Sequence, residues 1–249
     1  MQNELYHQMS ALEDRHWWFA ARRQIVSQAI TRIARPPAAA RILDAGCGTG
    51  GNLAMLGRFG RVTGVEPDDT ALELARGRNT GAEIVKGMLP DALPFDDATF
   101  DLAVLLDVLE HVDDDRGALR RLAALLKPGG HLVLTVPAFQ FLWSGHDESH
   151  QHRRRYRRPE LSEKIASAGL RVRCISYFNT WLFPLIAAAR AVKRQSANRR
   201  SSDLFLPPPP VNSLLRLLMA SERHAIGRIS LPAGVSLIAC AAKPPDDNP

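Results

Sequence analysis

Ile42-Leu43-Asp44-Ala45-Gly46-Cys47-Gly48-Thr49-Gly50 is the stretch that decides the fold. It leaves a short apolar strand and enters a helical pattern over residues 51–59. Glycines at the junction let the backbone turn tightly and approach a ligand without Cβ clashes. The helix start offers unpaired N–H groups and the positive end of a dipole. A ligand carboxylate or phosphate is favoured there. Glu66 ends the next strand pattern, RVTGVE over 61–66, and can accept two hydrogen bonds from a ribose diol.

Outward from this loop, strand and helix patterns alternate. Strands are expected over 41–45, 61–66, 83–86, 101–106, 131–136, 170–177 and 234–242. Helices are expected over 10–34, 51–59, after the capping Asp68, and over 116–126, 159–168, 180–195 and 211–226. Pro36 and Pro37 end the first of these. Alternation over short loops predicts an α/β, doubly wound, seven-stranded and mainly parallel sheet, its last strand antiparallel. Near-continuous apolar strands fit burial on both faces. The whole of 1–249 reads as a single domain. Residues 1–39 form an N-terminal helical cap, 40–177 the core sheet, 178–230 a helical insertion and 231–243 the last strand. Residues 137–158 read as a long polar and aromatic loop. Residues 196–210, polar and then proline-rich, read as an exposed linker.

With 249 residues, 45% apolar and 23% charged, the chain can bury a sizeable core. Its three cysteines, Cys47, Cys174 and Cys240, are far apart and odd in number. That excludes a disulfide framework and suits a reducing compartment. No signal-peptide pattern opens the chain, and no apolar run reaches the roughly 18 residues of a membrane span. A cytoplasmic protein is expected, with peripheral contact at the inner face of the membrane as a variant. The net charge of +6 is regional: residues 148–200 hold thirteen Lys/Arg against three Asp/Glu, while the remainder is net acidic. Such a region attracts phosphate groups, an anionic membrane or nucleic acid, or is simply a solvated surface.

The glycine loop alone leaves two readings. Gly46, Gly48 and Gly51 also satisfy the GxGxxG spacing of dinucleotide sites, so an NAD-dependent oxidoreductase stays open on this motif. The wider series separates them. LDAGCGTG, GVEPD, LPFDDATFDLAVLLDVLEHV and LKPGGHLVLTVPA follow in unbroken order over about residues 40–137. This series resembles the class I S-adenosylmethionine (SAM)-dependent methyltransferases of the type 11 small-molecule group. The resemblance implies a Rossmann-like methyltransferase fold and SAM as cofactor, with S-adenosylhomocysteine as product. It implies that Asp44, Gly46 and Gly48 line the methionine part of SAM, with Cys47 and Gly50 also in the cofactor-binding set. Glu66 would hold the ribose hydroxyls, and Pro67 with Asp68 would flank the adenine. Asp107 and Val108 would lie beside the methionine moiety. Many relatives place an Asp after the third-strand glycine, whereas this chain has Gly87-Met88-Leu89. The adenine would then rest on the Leu89 backbone and apolar contact at Met88.

The methyl acceptor is less legible. Ligands bind outside the carboxyl ends of strands in open α/β sheets, and the loop after the fifth strand leaves from such an end. His146, next to Asp147, is a candidate general base. Arg154 and Arg155 are candidates for bidentate contact with a phosphate or carboxylate. His111, His152 and Tyr156 are further candidates for the substrate side. His146, Asp147, His150 and His152 match no strong metal spacing, so no metal is expected from them. Glu13 to Phe19 (EDRHWWF) with Arg22-Arg23, then WSxHD, HxRRY and the later Tyr177-Phe178-Asn179, resemble a bacterial methyltransferase subgroup. That subgroup is associated with polysaccharide, glycolipid or secondary-metabolite pathways. By this likeness Trp17 lies near the substrate cleft. The segment 181–192, with Lys193, Arg194, Arg199 and Arg200, reads as a cap helix or an interfacial one.

The expectation is methyl transfer from SAM to oxygen or nitrogen of a small-molecule or lipid- or phosphate-linked acceptor, such as a sugar. The alternatives are an RNA-modifying methyltransferase or a non-catalytic binding protein using the basic region. Nucleic acid is the weaker partner, because few aromatics interleave with that region.

Overall fold

The computed structural model describes residues 3–195 and 205–245. Two helices come first, α1 (Asn3–Leu12) and α2 (Trp17–Ala29), where the sequence predicts one over 10–34. The break is local: His16 is extended, and its ring nitrogen accepts from the Trp18 N–H as an N-cap. A π turn, Ile30–Ala34, extends α2 until Arg35 turns left-handed ahead of the two prolines.

Strands and helices then alternate. In chain order they are β1 (Ala40–Ala45), α3 (Leu53–Leu56), β2 (Gly60–Glu66), α4 (Asp69–Gly77), β3 (Glu83–Lys86), β4 (Phe100–Leu106) and α5 (Asp115–Leu125). There follow β5 (Leu126–Pro137), α6 (Gly145–Ser149), α7 (Arg158–Ser167), β6 (Arg171–Phe178), α8 (Phe183–Gln195), α9 (Pro209–Ser221) and β7 (Ser236–Ala242). The sheet order is β3-β2-β1-β4-β5-β7-β6. Strands β1 to β5 pair in parallel, and β7 runs antiparallel between β5 and β6. This is the seven-stranded, mainly parallel α/β sheet that the alternation predicts.

Local chemistry sets the boundaries. Asp68 caps α4 by accepting from the Ala71 N–H at 3.1 Å, and Asp114 caps α5 through Gly117 at 2.8 Å. The helix predicted over 51–59 shrinks to four residues, because turns through Gly50 and Gly51 take up its first half. β5 starts earlier than 131, because Gly129 and Gly130 exchange hydrogen bonds with Lys243. The loop over 137–158 is not featureless. A 3-10 turn and α6 fold inside it, the latter set by a capping box of Ser144 and Asp147.

Neighbouring strand residues face opposite sides of the sheet. Leu43, Leu105 and Leu134 pack with Leu119, Leu122 and Leu161 from α5 and α7. Ile42, Val104 and Val133 pack on the other face with Ile25, Ile30, Phe178 and Met219. Each fully buried Leu or Ile contributes about 1.5–3 kcal/mol. α9 thus closes over α2 on one face. The predicted linker falls largely on 196–204, as do Arg199 and Arg200, outside the described residues, and Pro209 already opens α9. Among the described residues no helix is long and apolar enough to cross a membrane.

The strand order reverses direction at β1 and β4, whose carboxyl ends open into one crevice. Gly46 and Asp107 lie at those ends.

Candidate active site

A cavity of about 860 Å³ fills the crevice. That is ample for a cofactor together with a small acceptor. Its floor is the glycine loop. Gly46, Cys47, Gly48, Glu66, Pro67, Asp107 and Val108 all line it. Gly46 has φ +80, and a Cβ there would meet Val108 Cγ2 at 2.6 Å. A Cβ on Gly48 would meet nothing within 4 Å and would occupy the space a ligand needs. The Gly46 and Cys47 N–H groups donate to Val65 O, while Gly48 N–H donates to Glu66 Oε2 at 3.0 Å. Asp68 N–H donates to the other Glu66 oxygen at 3.3 Å. Burial pushes the Glu66 carboxyl up, against these two hydrogen bonds.

Asp44 sits behind the loop, fully buried, and neither of its oxygens has a hydrogen-bond partner among the described residues. Burial pushes it up to about 7, opposed by the charge of Arg22 and reinforced by Glu66 and Glu13. It does not line the cavity, nor does Gly50. Met88 and Leu89 also stand outside it. Met88 is exposed in a turn closed by reciprocal 2.9 Å hydrogen bonds with Ala92.

The N-terminal helices form the roof. Tyr6 and Met9 of α1 and Trp17, Trp18, Phe19 and Arg22 of α2 line the cavity. Glu13 joins roof to floor. It accepts from Thr49 Oγ1 and is ion-paired with Arg78, which also donates to Thr49 O at 2.6 Å. Arg22 stacks on Trp18 and is ion-paired with Asp107. Asp107 takes a left-handed φ of 57 at the end of β4, and its carboxylate also accepts from Thr135 at 3.0 Å. Asp tolerates that conformation better than most residues.

The far wall comes from α6, its flanking loop and α8. His111, His146, His150 and His152 all line the cavity, with ring centroids of neighbours 4.0–6.0 Å apart. His146 has an unpartnered Nδ1 among the described residues. Burial pushes it well below its ordinary range, and the charges of His150 and His152 add to this. Ile186, Ala189 and Arg190 of α8 complete the wall.

Asp147, the neighbour of His146 in sequence, is fully buried and does not line the cavity. It accepts from His152 Nδ1 at 2.8 Å, from Arg155 at 2.8 and 2.9 Å, and from Ser144 N at 2.9 Å. Burial alone would raise its pKa, but these donors hold it well below the usual carboxylate range. The expected anion-binding arginines are similarly occupied. Arg155 is spent on Asp147 and Ala138 O, and Arg154 on Asp115 and Asp113 O. Tyr156 is a core residue, its hydroxyl donating to Asp115 at 3.0 Å. Arg153 and Lys164 are likewise paired, with Asp113 and Asp115. Four cations of the basic region, Arg153, Arg154, Arg155 and Lys164, are therefore engaged with acidic neighbours.

Sequence reading gave no role to Tyr6, Glu13, Glu110 or Asn179, all of which line the cavity. Glu110 carried a signal, since an acid in the apolar turn VLEHV needs an explanation. Glu13 and Asn179 stood in the quoted subgroup segments, whereas Tyr6 carried no signal, because only the fold brings α1 over the glycine loop.

A family described as a methyltransferase domain matches residues 18–175. A ubiquinone biosynthesis O-methyltransferase of Methylocella silvestris is 36% identical over 153 residues, covering 55% of this chain and 60% of the relative. A demethylmenaquinone methyltransferase of Clavibacter sepedonicus is 35% identical over 130 residues, covering 50% and 53%. The chain thus spans little more than half the length of these curated relatives. The crystal structure of a SAM-dependent methyltransferase from Mesorhizobium loti superposes with a TM-score of 0.56 at 19% identity, covering 86% of this chain and 97% of that one. That likeness concerns the fold.

Proposed function

The chain belongs to the methyltransferase-domain family, and from that premise we propose that it methylates a hydroxyl oxygen of a small, quinone-type aromatic acceptor. SAM, when bound, supplies a methyl group on a sulfonium sulfur. The residues fit that cofactor: the open face of Gly48, the paired oxygens of Glu66 and the strand-end Asp107 meet in one cavity. Glu66 would accept from the ribose diol. Asp107 and Val108 border the methionine part. Trp17 and Trp18 cover the site and exclude water.

The single observation that carries the reading is that the glycine loop with Glu66 and the half-buried His146 face the same cavity. The cofactor groove and a neutral base are thereby held around one space. His146 takes the acceptor's proton, and the aromatic wall of Trp17, Trp18 and Trp143 aligns the acceptor ring. The names of the two quinone-pathway relatives support an aromatic acceptor. The pairing of Arg154 and Arg155 removes the main support for a phosphorylated one.

The test is calorimetric titration with S-adenosylhomocysteine, with NADH as control, followed by methyl transfer from labelled SAM to catechols and hydroquinones. Micromolar binding of the first ligand alone and labelling of a hydroxyl are expected. NADH binding without S-adenosylhomocysteine binding would end the proposal.

A second reading concerns where the acceptor is met. Trp181, and Leu185 and Val192 of α8, are 63–69% exposed, and α9 exposes Val211, Leu214 and Leu217. Apolar helix faces of this kind suit a membrane interface. Lys193 and Arg194 follow in sequence. Sedimentation with anionic vesicles at low salt tests it; a protein that stays in the supernatant rules it out.

A further inference from the structure

Glu110 is fully buried, and neither of its carboxylate oxygens has a hydrogen-bond partner among the described residues. A carboxylate so far from water needs a proton, a partner charge or a metal. Two histidines face it. His152 Nε2 lies 3.9 Å from Glu110 Oε1. The other nitrogen of that ring, Nδ1, is 2.8 Å from Asp147 Oδ1. An ionised carboxylate only accepts, so Nδ1 carries a proton, and in the neutral ring Nε2 is left as an acceptor beside Glu110. The His111 ring stands at 82° to that of His152, with centroids 4.7 Å apart. It hydrogen-bonds the Gln151 backbone, which leaves its second nitrogen as an acceptor. One ligand atom from each of the three residues lies within 4.8 Å of the others.

We propose that Glu110, His111 and His152 bind a divalent transition-metal ion in the wall of the cavity. Two imidazoles and one carboxylate are a donor set for Zn²⁺, Mn²⁺, Fe²⁺ or Co²⁺. All three residues line the cavity, so an ion held by them would stand in its wall, within reach of the acceptor. Bonds of about 2.1 Å bring ligand atoms roughly 3–3.5 Å apart, so the three side chains close by about 1 Å on the ion. The surroundings are those of metal-binding histidines. Asp147 orients His152 as a carboxylate behind a ligand, and Arg155 fixes Asp147 through two hydrogen bonds. The local histidine spacing gave no such set, because Glu110 and His111 come from the turn after β4 and only the fold brings them to His152.

The proposal deepens the methyl-transfer reading and rests on it for its chemistry, though not for binding. A cation beside the acceptor hydroxyl lowers that hydroxyl's pKa. The O–H bond breaks with its proton passing to His146, and the oxygen's electron pair forms the new C–O bond as the C–S bond breaks.

The experiment titrates the full chain with CoCl₂, and then with ZnCl₂ in competition, following absorbance and heat, with no donor or acceptor present. One equivalent of Co²⁺ is expected to bind saturably and to be displaced by Zn²⁺. Glu110→Gln and His152→Gln are each expected to weaken binding by ~10-fold or more. His111→Gln supplies an independent ligand deletion should either variant fail to fold. Binding of S-adenosylhomocysteine by the same proteins separates the two proposals. Metal binding without it overturns the methyl-transfer reading alone. Nucleotide binding with no saturable Co²⁺ binding overturns the metal site. Co²⁺ affinity equal in wild type and all folded variants also overturns it.

Discussion

The guanidinium of Arg22 closes on the carboxylate of Asp107, so α2 is ion-paired to the end of β4 across the cavity. Arg22 is almost wholly buried, while Asp107 keeps some exposure and a second donor in Thr135. Breaking a buried pair from one side strands the other charge. Arg22→Met is expected to cost about 2–4 kcal/mol. For a chain of this size that is a fall of roughly 5–15 °C in Tm, read by thermal denaturation. An unchanged Tm would mean the pair contributes nothing to holding the roof.

Glu66 accepts from the N–H groups of Gly48 and Asp68 and is the proposed ribose ligand. Glu66→Ala is expected to weaken S-adenosylhomocysteine binding by about 2 kcal/mol or more, near 30-fold, as for hydrogen bonds to a charged group. Glu66→Gln keeps one acceptor and loses less. Calorimetry on both variants checks the order, and equal affinities across the three proteins would misplace the ribose.

Asp44 titrates near 7 in the folded chain, above its ordinary value of about 4. The folded state therefore holds this proton more tightly than the unfolded one. Its contribution to stability is complete below about pH 4, declines as pH rises to about 7, and is flat above. Asp44→Asn should remove that decline, seen as a flatter Tm against pH than in wild type. A cation entering the cavity favours the ionised form. S-adenosylmethionine affinity should thus rise with pH up to about 7 in the wild type and stay level in Asp44→Asn.

His146 faces the cavity with a free ring nitrogen. His146→Ala is expected to lower kcat by about 10²–10⁴, the range for a lost general base, with S-adenosylhomocysteine affinity unchanged. Steady-state kinetics with a responsive hydroquinone or catechol checks it. A normal kcat would remove His146 from the reaction.

Most of the fold was legible because it is written locally. Apolar strand runs, the Asp68 cap and the glycine loop need no knowledge of distant partners. The cavity floor was legible for the same reason: Gly46, Gly48, Glu66 and Asp107 end or follow strands that the alternation already places side by side. The histidine wall was not. Asp147 stands next to His146 in sequence, yet the acid serves Arg155 and His152. Arg154 reads as an exposed anion binder only until Asp113 and Asp115 are seen beside it. Met88 depended on a turn geometry that composition does not disclose. Glu13 reaches Thr49 through helix packing, a relation between segments with no shared pattern.

β7 is the last of the seven strands to leave the ribosome, and it is the one that separates β5 from β6. Until it arrives, the outer edge of β5 and the whole of β6 lack their neighbours, and α8 and α9 are synthesised before the gap is filled. Nascent chains spend that interval with open strand edges, which invites pairing with other chains. Val235 and Ser236 also line the cavity, so it too is completed late. Capture on an immobilised nucleoside during translation would accordingly mark chains whose sheet has closed, and chaperone demand should peak just before that point.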